Sequence, residues 1–237
     1  MKSLFFSIFL LSFVYNGCLT AQVSSSFFDE ADAFFGTYVT NGKVDYASLS
    51  KNSEPLDRLL ALAKTSTVTT EDPKNYQAFW INTYNLAVIK GVLEAYPIAS
   101  PLDVSGFFET KKYELAGSSI TLNDIENKKL RAKFHEPRFH FVLVCGAEGC
   151  PPIIPEAYRP ATLETLLQQQ TVKALNNDSF IKVKQSTVAL SEIFKWYKED
   201  FVKGQTEIEF INKFRREKIP TNLKVSYYSY NWNLNGK

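Results

Sequence analysis

Histidine, cysteine and charge bias are all scarce in this chain, and each scarcity narrows what it can do. Two histidines and three cysteines occur in 237 residues, so imidazole or thiol chemistry has few places to sit. A formal net charge of +2 gives no reason to expect a nucleic-acid partner or an anionic membrane surface. There is no phosphate-cradling glycine loop and no dinucleotide fingerprint, and no cofactor is expected. Internal repeats, low-complexity segments and long charge runs are also missing. Past the first residues, no apolar run is long enough to span a bilayer. What remains is ordinary globular composition, 45% hydrophobic and 14% aromatic, with enough length for one large domain.

Residues 1–21 read as an export leader: Lys2 opens it, Leu4 to Val14 is a short apolar run, and Leu19-Thr-Ala21 offers small residues for cleavage. A lipoprotein signal acylated at Cys18 is the rival reading, but Tyr15 and Asn16 suit it poorly. We therefore expect a periplasmic or secreted protein with one globular domain over residues 22–237, in a compartment where disulfides persist.

The pattern predicts helices over residues 27–39, 55–64, 75–96, 124–133, 162–176, 191–201 and 206–216. Hairpins are expected at residues 112–121 and 180–190, and a late strand at 224–230. Mixed helices around a small, mainly antiparallel sheet make an α+β single domain. The helix over residues 75–96 is apolar nearly all round, which predicts burial. At about 100° per residue, Lys90, Thr83 and Glu94 form its one narrow wet stripe. Asn82 and Asn85 lie away from that stripe, so they should be buried and must grip something. They either tie the helix to a neighbouring loop or line a site.

Arg138-Phe-His140-Phe-Val-Leu-Val-Cys145-Gly-Ala-Glu-Gly-Cys150-Pro-Pro152 is the stretch where we expect any chemistry. Residues 138–145 read as a central strand covered on both faces, running into a glycine-bracketed loop.

Several motifs stand in series: Ala78-Phe-Trp-Ile-Asn82-Thr-Tyr-Asn85, Asp124-Ile-Glu126 with Leu130-Arg131, Pro137-Arg138-Phe-His140-Phe, Cys145-Gly146, Cys150-Pro-Pro152, Phe194-Lys-Trp196-Tyr197-Lys-Glu-Asp200-Phe201 and Tyr230-Asn-Trp232-Asn-Leu234-Asn235. In these the chain resembles the domain of unknown function 547 family, over roughly residues 44–235. Asn231 departs from the acid expected in the closing motif. The resemblance implies a fold and a site, and it implies no reaction.

The leading reading is a cysteine-dependent hydrolase or transferase acting on an acyl or amide bond of a small molecule or peptide. Cys145 or Cys150 would be nucleophile, His140 base and Glu126 its orienter, with Asn82 or Asn85 polarising the substrate. Arg131 and Arg138 could clamp a substrate carboxylate, or pair structurally with Glu126 or Asp200. Pleat geometry opposes His140 acting with Cys145, because an odd step of five residues points them to opposite faces, about 16 Å apart. The alternative is a non-catalytic binding scaffold stapled by a Cys145–Cys150 disulfide. A metal site at His140, Cys145 and Cys150 lacks a fourth ligand and standard zinc spacing, so none is expected. The spacing is likewise too long for the usual redox motif. Trp196, Tyr197 and Trp232 read as core aromatics, and His135 as part of a solvated turn.

Overall fold

The computed structural model describes residues 25–237. The leader expected at residues 1–21, with Cys18, lies outside the described residues. Helix dominates, and the strands form two short hairpins and one three-stranded sheet, so the α+β reading holds. Among the described residues, no helix is long and apolar enough to cross a membrane.

The larger of the two core clusters is built on the helix Pro73–Leu93. Asp72 caps it by accepting from Asn75 N, and Pro73 sits in the first turn, where its missing N–H has no helical partner to lose. From Ala78 to Ile89 every residue is buried. Thr83, expected on the wet stripe, is buried too: its hydroxyl donates to Phe79 O at 2.9 Å, satisfying itself within the helix. Lys90 does reach the surface, where it pairs with Asp57 at 2.8 Å.

Around this helix gather Ser25–Tyr38, Glu54–Thr65 and the hairpin Lys112–Leu115 with Ser118–Thr121. That hairpin turns on Ala116 and Gly117, both at positive φ, as a two-residue turn matched to strand twist demands. A second cluster forms on the sheet in which Thr187–Ser191 lies between antiparallel Ile181–Val183 and parallel Lys224–Tyr228. Cys150 packs against both clusters, and the site lies at their junction.

Residues 138–145 are not a strand. Pro137–Phe141 forms a 3-10 turn, capped by the Glu136 side chain accepting from Arg138 N. Phe139 to Val144 are all buried, and an apolar run buried on every side carries no periodicity that separates strand from other backbone. Asn85 takes the place of a neighbouring strand: it donates to Val142 O at 3.0 Å and accepts from Val144 N at 2.9 Å. The helix expected from residue 124 starts earlier, capped by Thr121, and winds into a π-helical segment, Ile125–Arg131. Such a segment often marks a functional site. The helix expected over residues 191–201 breaks at Tyr197 into Glu192–Trp196 and Lys198–Phe201.

Candidate functional site

A cavity of about 220 Å³ opens where the two clusters meet. His140, Glu126, Cys145 and Cys150 all line it, with Tyr84, Tyr197, Tyr230, Trp196 and Trp232 among its walls. The objection from pleat geometry lapses because the backbone between His140 and Cys145 is not a strand.

His140 is held on three sides. Its ring stacks on Tyr197, with centroids 4.0 Å apart, and Phe201 packs on it at 5.3 Å. Nε2 lies 2.7 Å from Asp200 Oδ2. Burial alone would raise the Asp200 carboxyl, but hydrogen bonds from His140 and Arg131, and their charge, outweigh it and hold the group well below the usual carboxylate range. An ionised carboxylate can only accept, so Nε2 carries a proton, and Nδ1 is the ring nitrogen that Asp200 leaves unbonded. Nδ1 lies 3.8 Å from Glu126 Oε1, too far for a hydrogen bond. Asp200, not Glu126, therefore orients the imidazole.

The π-helical segment supplies both Glu126 and Arg131. Arg131 stands outside the cavity lining: it bonds Asp200 at 2.7 Å and Asn127, and its guanidinium lies 4.8 Å over the Tyr197 ring. The structural pairing with Asp200 is the one it makes. Burial raises the Tyr84, Tyr197 and Tyr230 phenols, and the Glu126 carboxylate adds to each, so they stay protonated as donors beside the cavity.

Cys145 and Cys150 are joined by a disulfide. The Tyr230 hydroxyl sits 3.0 Å from Cys145 Sγ and 2.9 Å from Cys150 Sγ. The loop is tied to the C-terminal tail, with Glu148 N donating to Asn233 O and Gly149 N to Asn231 O, each at 2.8 Å. Gly146 is at φ +83°, and a Cβ on Gly149 would lie 2.8 Å from the Tyr230 ring, so both positions need glycine. Asn231, the departure from the family pattern, is exposed and donates to Glu148 Oε2 at 3.1 Å, a bond that an ionised acid could not make.

The two carboxamides do not join the site. Asn82 exchanges bonds with the backbone of Tyr158, at 2.7 and 3.0 Å, and Asn85 with Val142 and Val144. Arg138 is also elsewhere, bonded to Glu136 and Glu164, each at 2.6 Å. His135 is exposed at positive φ, ending the helix Ala132–Phe134. Asp200 and Tyr230 are the site groups that sequence reasoning did not assign to chemistry. The signal for Asp200 was its place, four residues after Trp196, in a motif already linked to Arg131 by charge.

The sequence model of the family described as "Protein of unknown function, DUF547" matches residues 69–175. The chain carries a domain of that family, and the matched span includes Asn82, Asn85, Glu126, His140 and both cysteines. Asp200, Trp196, Tyr230 and Trp232 lie beyond it, yet fold back onto the same cavity or the His140 ring. No curated protein and no solved structure matches the chain.

Proposed function

We propose that the cavity is the active site of a hydrolase or transferase acting on an acyl or amide bond, with His140 as general base and Asp200 as its orienting group. The hydrogen bond from Nε2 to Asp200 carries the reading, because it leaves Nδ1 for the cavity. In the bridged chain neither sulfur is a nucleophile, so a water attacks the acyl carbon while Nδ1 takes its proton. That proton then passes to the leaving group as the acyl bond breaks. Glu126, near Nδ1, stabilises the imidazolium between the two transfers, and the buried phenols donate to the developing oxyanion. The thiol version of the reaction belongs to the reduced chain, in which Cys145 or Cys150 would replace water. Export, read from residues 1–21, supplies the oxidising surroundings in which the bridge persists.

A panel of activated esters and amides tests this with wild type, His140→Gln and Asp200→Asn. Loss of about 100-fold or more in kcat/KM for His140→Gln, in protein that keeps its circular dichroism, is expected. Turnover that survives His140→Gln overturns the assignment.

The disulfide itself favours a second reading, a stapled pocket that binds without turnover. No turnover on any substrate, together with saturable ligand binding, selects it.

A further inference from the structure

We propose that the cavity selects a small organic cation, an alkylated ammonium group seated against Trp196, Trp232 and Tyr230 with Glu126 beside it. The inference names the ligand class for the active-site reading above and rests on that reading only for the cavity being the place of action.

Among the described residues the lining contains no lysine and no arginine, although the chain has 27 of them. Its carboxylates are Glu109 and Glu126. The guanidinium of Arg131, which lies over the lining residue Tyr197, is committed to Asp200 and Asn127. An anionic ligand would lose its hydration and meet two carboxylates, with no ammonium or guanidinium in the lining to offset them. A cation meets the opposite field.

The rings supply the rest. Trp196 stacks on Trp232 with centroids 5.9 Å apart at 27°, while Tyr230 leans on Trp232 at 57° and on Trp196 at 54°. Rings set at an angle to one another make a corner, and a methylated ammonium can touch more than one negative π face there while shedding little hydration. Trp196 is 45% exposed, among the few large apolar side chains left open, and it lines the cavity. At about 220 Å³ the space is below the range for drug-sized ligands, roughly 300–1,000 Å³. It fits a small cation or the cationic end of a longer molecule.

Choline, its neutral carbon isostere dimethylbutanol, and acetate are the probes, read by tryptophan fluorescence and calorimetry on the full chain. Choline should bind saturably and about tenfold more tightly than dimethylbutanol, with acetate showing no binding. Trp196→Ala, a surface change, should weaken choline severalfold, and Glu126→Gln should erase the preference over the isostere. Equal affinity for choline and dimethylbutanol, preference for acetate, or no saturation by any probe overturns the proposal. His140→Gln separates the two readings. Choline bound normally by His140→Gln protein with full turnover sinks the base assignment alone. Ester turnover by wild type with no choline binding sinks the cation alone.

Discussion

The helix Pro73–Leu93 and the cavity beside it both bury polar side chains in apolar surroundings, and they use them in opposite ways. On the helix, Asn82 and Asn85 meet backbone groups on both ends of their amides. In the cavity, His140 spends one nitrogen on Asp200 and leaves the other 3.8 Å from Glu126, without a hydrogen bond between them. A polar group whose capacity is used up by the fold stabilises it, whereas one with capacity left toward a cavity is available to a ligand. The difference separates two residue types that look equally improbable in a hydrophobic stretch.

The largest effect should come from the spent group. Asn85→Ala orphans Val142 O and Val144 N, each a buried backbone group at about 1–3 kcal/mol, so we expect roughly 3 kcal/mol of lost stability in chemical denaturation. His140→Gln, by contrast, should lose activity at much smaller cost to stability. If Asn85→Ala unfolds at the wild-type midpoint, the comparison fails.

Next is the bridge. A ring closed across a sequence separation of five contributes about 2 kcal/mol, so Cys145→Ser with Cys150→Ser should lower stability by that amount. The bridge also positions Tyr230, which bonds to both sulfurs, so ligand affinity should fall as well. Lost stability with unchanged binding would place the staple wholly on the structural side of the comparison.

How much of this was legible in the sequence follows from the same distinction. The burial of the Asn-bearing helix could be read because a long apolar run with a narrow wet stripe has one physical outcome. The hairpin at residues 112–121 could be read because Ala116-Gly117 permits a turn that other residues resist. The path of residues 138–145 was not readable: local periodicity cannot reveal that an amide from residue 85 supplies the hydrogen bonds of a strand neighbour. The convergence of His140, Glu126 and the two cysteines was anticipated by residue type, but the group that orients the imidazole sits 60 residues away, at Asp200. Trp196 and Trp232 were misjudged as core because an aromatic reads the same in sequence whether it faces the interior or a cavity mouth.

Asp200→Asn should have an intermediate effect that depends on pH. The folded carboxyl titrates below its unfolded value of about 3.9, so its stabilisation is complete above that value and is lost as pH falls through the lowered one. The variant should therefore be less stable than wild type at neutral pH, by about 1.5 kcal/mol. The gap should close on acidification below about pH 4. A gap independent of pH would mean that the contact is steric packing and not charge, and His140 would lose its orienting anion.

The smallest expected stability effect belongs to Trp196→Ala, and it sharpens the comparison most. Trp196 is 45% exposed, and its ring contacts are to Trp232 and Tyr230 at the cavity wall. If it serves the cavity, its removal should change stability by about 0.5 kcal/mol or less, as surface changes do, while ligand affinity falls severalfold. A tryptophan that mattered to the fold would reverse both numbers, because truncating a buried large aromatic costs about 3–5 kcal/mol. Measuring denaturation midpoint and choline affinity on the same variant thus asks directly on which side of the divide between spent and available groups the aromatic corner falls.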